Sequence, residues 1–246
     1  MSDHGLDLRL LVAGASSGVG AAVATEAIDR GARVAGIARR ADLLARIEGL
    51  VAAPADVCHR AALGNAVDDA LDALDGLDAV VIAAGINRPG LIADTTPDDW
   101  RAVLDTNVVG LLNVAQATMS ALRSGRSPTL VVISSNAARQ VVSAQNAIYS
   151  ASKAAVAMLA DALRLEFAGD VRVVEIAPAY IRDTEIHRDY LDPAHRAEAD
   201  ERQQTYGMEL GHFARLVVDV LAQPDDVEVR SLDVSKPGYV LRPYRS

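Results

Sequence analysis

Apolar and polar positions along this chain follow two patterns that alternate from one end to the other. Short apolar runs, rich in Val, Ile, Leu and Ala, predict buried strands, and longer segments with apolar residues every three or four positions predict helices. The predicted strands are residues 8–13, 33–38, 50–53, 79–83, 129–133, 171–176 and 229–234. The predicted helices are residues 19–30, 41–49, 61–74, 97–122, 147–167 and 213–221.

This regular alternation of strand and helix is typical of βαβ units around a parallel sheet. No low-complexity linker or internal repeat interrupts it. We therefore predict an α/β fold: a single Rossmann-like doubly wound domain over residues 1–246, with about seven mostly parallel strands flanked by helices. Its ligand crevice should lie at the carboxyl ends of the strands. Residues 179–211 are polar and highly charged, which predicts a lid over that crevice.

A glycine-rich turn, GASSGVG, follows the first predicted strand and opens the first predicted helix. Gly14 permits a tight exit from the strand, Gly18 lets a diphosphate approach the backbone, and Gly20 lets helix and strand pack closely. The free N–H groups at the helix N-terminus would then face the anion. A glycine-rich turn without a ligand is the alternative, but the position between strand and helix favours a dinucleotide site.

A second candidate site begins where the strand at residues 129–133 delivers Ser134 and Ser135. Tyr149 and Lys153 follow, four residues apart, so a helix places both on one face. The unperturbed pKa of a Tyr phenol is about 10, and a nearby ammonium favours the phenolate. A Ser hydroxyl beside this pair could bond the oxygen whose proton Tyr149 handles. The Tyr–Lys spacing alone occurs by chance in many helices.

Composition and charge exclude several classes of partner. The 246 residues are 50% apolar but only 4% aromatic, which predicts a close-packed aliphatic core. A formal net charge of −9 argues against nucleic acid and anionic membranes as partners. No apolar run reaches the roughly 18 residues of a membrane span, and the acidic N-terminal segment is unlike a signal peptide. We therefore expect a cytoplasmic protein.

The cysteine and histidine content predicts that no metal is bound. Cys58 is the single cysteine, which excludes an intrachain disulfide and a cysteine-based zinc cluster. The five histidines lack the spacing of a ligand pair such as H-E-x-x-H. We interpret His187, His195 and His212 as surface or lid residues, with contact to a substrate as the alternative.

Together these motifs carry a family resemblance. The glycine spacing, Asp56, Gly85, Asn107, Ser135, Tyr149 and Lys153 occur in the order found in short-chain dehydrogenases/reductases. The chain resembles that family over about residues 8 to 184.

The resemblance implies an oxidoreductase that moves a hydride between a nicotinamide cofactor and a carbonyl or secondary alcohol. It implies that Tyr149 is the general acid/base and that Ser135 orients the carbonyl. Lys153 would lower the pKa of Tyr149 and bind the nicotinamide ribose, and Asn107 would hold a water relay to Lys153.

The resemblance also implies a set of cofactor-binding residues in the glycine turn, after the second, third and fourth strands, in the Tyr–Lys pair and after the sixth strand. They are Gly14, Ser16, Ser17, Gly18, Val19, Gly20, Arg39, Arg40, Asp56, Val57, Ala83, Ala84, Gly85, Tyr149, Lys153, Pro178, Ile181 and Thr184.

The chain departs from the family pattern at several of these positions. Ala13 replaces the usual Thr, Ala83 replaces the usual Asn, and Pro178 is followed by Ala instead of Gly. The segment from Ser135 to Tyr149 is one residue longer than usual, so Ser134 or Asn136 could take the place of Ser135. We keep Ser135, because the loop at residues 139–145 can absorb the insertion.

The end of the second predicted strand indicates which dinucleotide binds. An NAD site needs a carboxylate there to accept bonds from the ribose 2′-OH, but this chain has Ala38, followed by Arg39 and Arg40. Two guanidinium groups suit a 2′-phosphate, which favours NADP with NAD as the alternative. A solvated basic start to the next helix would explain the same residues. Ser17, where a basic residue would help, weakens the NADP prediction slightly.

Two other functions stay open beside a carbonyl reductase or secondary alcohol dehydrogenase. A non-catalytic dinucleotide-binding sensor would be expected to lack part of the Ser, Tyr and Lys set, which this chain keeps. An epimerase of the same family usually has a longer C-terminal domain.

Small residues near Ala115 and Ala155 resemble the helices through which the family assembles, so we expect a homodimer or homotetramer. Arg139 and Gln145 are candidates for contact with the small-molecule substrate.

Overall fold

A computed structural model describes residues 6–189 and 193–239 of the chain. Its strands form one seven-stranded sheet. The strands are β1 (Arg9–Ala13), β2 (Arg33–Ala38), β3 (Leu50–Pro54), β4 (Ala79–Ile82), β5 (Thr129–Ile133), β6 (Arg172–Pro178) and β7 (Ser231–Val234). The helices are α1 (Gly18–Asp29), α2 (Ala41–Leu44), α3 (Arg60–Leu74), α4 (Pro97–Leu104), α5 (Gly110–Arg123), α6 (Ala147–Glu166), α7 (Pro193–Tyr206) and α8 (Leu210–Leu221).

The strand order is β3-β2-β1-β4-β5-β6-β7, and every neighbouring pair is parallel. The predicted doubly wound α/β fold is therefore confirmed. The chain starts in the middle of the sheet, runs outward to β3 and then returns to pair β4 with β1. This reversal between β1 and β4 opens a crevice at the carboxyl ends of the two strands.

Helices cover both faces of the sheet because the strands are apolar on both sides. Along β1, Leu11 and Ala13 pack in the layer that contains α3, α5 and α6. The alternate residues Leu10 and Val12 pack in the layer that contains α1 and α8. All four side chains are fully buried, which explains why the strand appears in the sequence as a continuous apolar run.

Two predicted helices are shorter or less regular than expected. The helix predicted at residues 41–49 ends at Leu44, the one buried side chain of α2, and Gly49 adopts a positive φ of 79°. The helix predicted at residues 97–122 is interrupted by a π-helical turn, Asp105–Val109, between α4 and α5. Single π-helical turns within α-helices are frequent at functional sites.

The predicted lid segment, residues 179–211, contains a helix that the sequence pattern did not predict. Most of α7 is polar and only Ala199 and Gln203 are buried, so it lacks the apolar stripe that identifies a helix. The two ends of the segment are joined by an isolated parallel bridge, in which the Arg182 N–H donates to the Met208 carbonyl at 2.9 Å and the Met208 N–H donates to the Tyr180 carbonyl at 3.0 Å.

Candidate active site

A cavity of about 340 Å³ lies at the carboxyl ends of the strands. Of the residues that the sequence predicts for catalysis or cofactor binding, all but Gly20 and Asn107 line it. The position is where a doubly wound sheet binds its ligand. The fold therefore brings residues from distant parts of the chain to one crevice.

The glycine turn between β1 and α1 is too compact for side chains at two positions. A Cβ on Gly14, whose φ is +91°, would lie 2.6 Å from the Ala84 nitrogen, and one on Gly20 would lie 2.2 Å from the Gly14 carbonyl oxygen. Ser17 is the N-cap of α1, but its side chain accepts no hydrogen bond from the helix. The first N–H groups of α1 therefore have no side-chain acceptor from their cap, as an anion site requires.

Arg40 lies across the same turn. Its Nη2 donates to Ser17 Oγ at 2.5 Å and to Ser16 Oγ at 3.2 Å, and its Nε lies 3.3 Å from Ser16 Oγ. Its Nη1 donates to a carboxylate oxygen of Glu185, in the lid segment, at 3.1 Å. The Ser17 hydroxyl thus accepts from Arg40 and not from the helix backbone. The guanidinium is held beside the predicted phosphate turn.

Arg39 is held less firmly than its neighbour. Its side chain is 67% exposed, and its Nη1 lies 3.9 Å from Asp56 Oδ2. Asp56 in turn accepts a hydrogen bond from the Cys58 N–H at 2.9 Å. The two arginines that the sequence placed together therefore have different surroundings, and Arg40 is the one positioned at the serine hydroxyls.

The two serines after β5 point in different directions, because successive side chains of an extended chain alternate between faces. The Ser135 side chain lies close enough to the Tyr149 hydroxyl to lower the pKa of the phenol, and both residues line the cavity. The Ser134 hydroxyl donates instead to the buried carboxylate of Glu175. Ser135 also accepts a bond from the Ala137 N–H at 3.1 Å and caps a short 3₁₀ turn. The structure thus brings Ser135, and not Ser134, to the tyrosine.

Tyr149 and Lys153 lie on α6, one turn apart. Lys153 is 6% exposed, and its Nζ donates to the Ile133 carbonyl at 2.9 Å and lies 5.8 Å from the centre of the Tyr149 ring. Burial lowers the pKa of Lys153 to about 8. Burial also raises the pKa of Tyr149 to about 12, against the opposing effect of the nearby Ser135 side chain. The pKa of Tyr149 is therefore shifted upward, because loss of water outweighs the effect of Ser135. The lowering of this pKa by Lys153 that the resemblance implies stays a prediction.

Asn107 lies in the π-helical turn, and its side chain connects this turn by hydrogen bonds to the loop after β4 and to α6. Its Oδ1 accepts from the Ile86 N–H at 2.8 Å, and its Nδ2 donates to the Ile86 carbonyl and to Ser152 Oγ, both at 3.0 Å. A Cβ on Gly85 would lie 3.3 Å from Asn107 Oδ1 and 3.4 Å from Lys153 Nζ. Asn107 is thus close to Lys153, with Gly85 leaving the space between them free.

Several polar residues that the sequence analysis did not single out also line the cavity. Asn87 Nδ2 donates to Asn146 Oδ1 at 2.7 Å, beside Tyr149. Their only sequence signal is proximity to Gly85 and Tyr149. Tyr180 of the lid segment also lines the cavity. So does His187, one of the three histidines interpreted above as surface or lid residues; it belongs to the lid segment but is only 8% exposed, so it is not a surface residue. Burial lowers the pKa of His187.

The two candidates for substrate contact, Arg139 and Gln145, do not line the cavity. Arg139 is turned toward Glu175, with its Nη2 2.6 Å from Glu175 Oε2. Gln145 is directed at the lid segment, with its Nε2 3.1 Å from His195 Nε2. The hypothesis that either side chain touches substrate has no support from this geometry.

Comparison with known proteins agrees with this arrangement. A family model described as short chain dehydrogenase matches residues 9–194. An uncharacterised oxidoreductase of Staphylococcus aureus is 31% identical over 235 residues, which cover 93% of this chain and 96% of that protein. A short-chain dehydrogenase from Burkholderia cenocepacia, solved in complex with NADP, is 32% identical with a TM-score of 0.79, over 92% of this chain and 96% of that one. A dehydrogenase/reductase from Sinorhizobium meliloti is 28% identical with a TM-score of 0.81, over 94% of each chain. The chain therefore belongs to the short-chain dehydrogenase family of oxidoreductases.

Proposed function

We propose that this protein is an NADP-dependent carbonyl reductase or secondary alcohol dehydrogenase. The observation that carries the proposal is the Ser135 side chain next to the Tyr149 hydroxyl, with buried Lys153 beside them, in a cavity that also reaches the glycine turn. A proton donor, a hydrogen-bond donor and an anion site in one crevice are the groups that hydride transfer to a carbonyl requires.

The residues around the cavity fit a dinucleotide. The N-terminus of α1 has no side-chain cap, which leaves backbone N–H groups open to a diphosphate. Gly14 lets the turn pass close to the chain after β4, where a Cβ would collide with Ala84. Asp56 and Val57 would lie beside the adenine, and Pro178, Ile181 and Thr184 beside the nicotinamide. When bound, the dinucleotide would accept or supply the hydride.

Side chains of the protein would supply the proton that the carbonyl oxygen takes up during reduction. With a pKa of about 12, Tyr149 holds its proton near neutral pH and can give it to a carbonyl oxygen as negative charge develops there. Ser135 would donate a hydrogen bond to the same oxygen and stabilise that charge. Lys153 would stabilise the phenolate left on Tyr149, and Asn107 would support the return of a proton to it. In the direction of alcohol oxidation the same groups would act in reverse.

NADP is proposed over NAD because of the environment of Arg40. Its guanidinium lies at hydrogen-bond distance from Ser16 and Ser17, in the turn where a ribose 2′-phosphate would bind, and β2 ends in Ala38 instead of a carboxylate. The 32% identical structure with NADP supports this choice. NAD stays the alternative.

The test is turnover of Tyr149→Phe against the wild type. A panel of carbonyls and secondary alcohols is assayed with NADPH, NADH and their oxidised forms, following absorbance of the reduced nicotinamide. We expect wild-type turnover with NADPH and a loss of about 100-fold or more in the variant, because the phenylalanine has no proton to transfer. Tyr206→Phe, a change of the same kind at a tyrosine that does not line the cavity, is the matched control and should keep wild-type activity.

The alternatives give different results in that assay. A non-catalytic sensor would bind NADPH, seen by fluorescence titration, yet turn over no member of the panel. An epimerase would convert its substrate without net change in reduced nicotinamide. Turnover retained in Tyr149→Phe would refute the proposed role of this residue.

Partners and assembly beyond the small-molecule substrate are part of the proposal. Across residues 6–189 and 193–239, no helix is long and apolar enough to cross a membrane. Leu112 on α5 and Met158 and Leu165 on α6 are exposed apolar side chains, 39%, 68% and 82% accessible, on the helices predicted to form the subunit interface. We propose a homodimer or homotetramer, which light scattering would distinguish from a monomer. A cytoplasmic location stays a prediction.

A further inference from the structure

A buried carboxylate lies directly behind the proposed catalytic serine. Glu175 is on β6, the strand next to β5, and is only 4% exposed. Nothing in the proposed chemistry uses it. Burial of an ionised carboxylate is costly unless the charge is paired and fully hydrogen-bonded, so its partners indicate what it does.

The partners of Glu175 lie at both ends of the turn that carries Ser135. Ser134, immediately before Ser135, donates its hydroxyl proton to Glu175 Oε1. Arg139, four residues after Ser135, donates from Nη1 to Oε1 at 2.9 Å and from Nη2 to Oε2 at 2.6 Å. The Glu175 carboxylate is therefore hydrogen-bonded to both the first and the last residue of the segment 134–139. A backbone bond also holds the first residue to β6, since the Ser134 N–H donates to the Ile176 carbonyl at 2.9 Å.

Both oxygens of the Glu175 carboxylate are fully hydrogen-bonded. Ser231 Oγ on β7 donates to Glu175 Oε2 at 2.7 Å, so both oxygens have two donors. Burial acts to raise the pKa of Glu175, but the hydrogen bonds from Arg139, Ser134 and Ser231 outweigh it, and the pKa lies below its usual value. The group is therefore a permanent anion near neutral pH. Bidentate pairing with a guanidinium also fixes an orientation, which a single bond would not.

The position of Ser135 depends on the turn between these two ends. The residues 136–138 form a single 3₁₀ turn, and Ser135 Oγ accepts from the Ala137 N–H within it. Ser135 Oγ also lies 3.2 Å from Asn136 Oδ1. A shift of either end of the segment would therefore move the hydroxyl relative to Tyr149. Misplacement of a reacting group by about 1 Å can cost about 100-fold in rate.

We propose that Glu175 is a positioning residue, whose carboxylate holds both ends of the segment 134–139 and thereby keeps the Ser135 hydroxyl against Tyr149. It rests on the proposed function of the Ser135–Tyr149 pair. Glu175 touches no reacting atom, and its effect on the reaction passes through Ser135.

A double-mutant cycle separates this role from a purely structural one. Glu175→Gln removes the charge and the bidentate pairing but keeps the size of the side chain. We expect kcat to fall by about 10- to 100-fold while KM for NADPH stays within about twofold. Ser135→Ala lowers kcat by itself, and adding Glu175→Gln to Ser135→Ala should cause no further loss. Two losses that multiply in the double variant would overturn the proposal, since Glu175 would then act independently of Ser135.

Asp233→Asn is the matched control. Asp233 contacts the same guanidinium, with Oδ1 3.1 Å from Arg139 Nε, but its side chain is 64% exposed, so solvent weakens this pairing and the grip on the segment rests on Glu175. We expect wild-type kcat. If Glu175→Gln does not fold, Glu175→Gln combined with Arg139→Gln replaces it in the same cycle, because this pair of changes removes the bidentate pairing without leaving a buried charge unpaired.

Failure of the proposed function gives a different result. A folded wild type that binds NADPH but reduces or oxidises no member of the panel refutes that function, and the role of Glu175 with it. An active wild type whose Glu175→Gln variant keeps full kcat refutes the role of Glu175 alone.

Discussion

Arg40 offers the sharpest test of cofactor choice. Replacing Arg40 with Met keeps most of the length of the side chain but removes all of the guanidinium donors that Arg40 directs at the glycine turn. In the structure its guanidinium lies 2.5 Å from Ser17 Oγ and within 3.3 Å of Ser16 Oγ. A 2′-phosphate bound beside those hydroxyls would receive charge-assisted hydrogen bonds, each worth about 1.5–3 kcal/mol.

The competing carboxylate of Glu185 reduces the expected effect. It lies 3.1 Å from Arg40 Nη1, and both side chains are more than one third exposed, so solvent weakens each charge interaction. We therefore expect about 1.5–2.5 kcal/mol of lost binding for Arg40→Met, a rise of about 10- to 70-fold in KM for NADPH. Glu185→Gln should have the opposite effect and lower KM for NADPH, because it removes a negative charge near the phosphate.

The assay compares kcat/KM for NADPH and NADH in wild type, Arg40→Met and Glu185→Gln. NADH has no 2′-phosphate and serves as the internal control, so its kcat/KM should stay within about twofold in Arg40→Met. A parallel loss for both cofactors would refute the reasoning and show that Arg40 holds the glycine turn in shape. An unchanged preference for NADPH would place the phosphate site elsewhere.

Two further predictions concern stability. Burial lowers the pKa of Lys153 to about 8, from 10.5 in the unfolded chain. Below about pH 8 the folded protein therefore holds a buried cation, which destabilises it. As the pH rises from about 8 toward 10.5, the folded state loses this proton before the unfolded state does, and the protein becomes more stable. Lys153→Met should therefore unfold at a higher temperature than wild type near pH 7 (about 1–3 kcal/mol more stable) while losing turnover. The difference in melting temperature between Lys153→Met and wild type should narrow near pH 10. Equal melting temperatures near pH 7 would contradict the destabilising role of the buried cation. Asp78, 1% exposed, accepts bonds from Arg9 and Arg126 that outweigh burial and hold its pKa well below the usual value. Asp78→Asn should cost about 3 kcal/mol near pH 7 in urea unfolding. Since an unfolded Asp titrates near 3.9, the difference from wild type should shrink below about pH 4, and a constant difference would refute the assignment.

Most of the sheet could be predicted because its strands are buried on both faces and flanked by amphipathic helices. Seven strands were predicted and seven form the sheet, with ends displaced by at most two residues. The helix α7 was missed because a polar helix that rests on a few buried side chains leaves no apolar stripe. The π-helical turn at Asp105–Val109 was missed because one extra residue in a helix changes hydrogen bonding but not composition.

The candidate site divides along the same line. Local spacing was enough to single out Gly14, Gly18 and Gly20, because turn geometry and helix termini are properties of neighbouring residues. The same holds for Tyr149 and Lys153, which one helical turn places together. These features come from short-range geometry, and the sequence by itself determined them.

Tertiary structure decided which of two adjacent serines meets the tyrosine. Ser134 and Ser135 are the same residue type, so the sequence alone does not distinguish them. Successive side chains of an extended chain point to opposite faces, and in the folded sheet this directs Ser135 toward Tyr149 and Ser134 toward Glu175. It also turned Arg139 from the substrate side to Glu175, 36 residues away in sequence. Long-range pairing of buried charges depends on which strands become neighbours, and strand order is a property of the folded sheet that no local pattern contains.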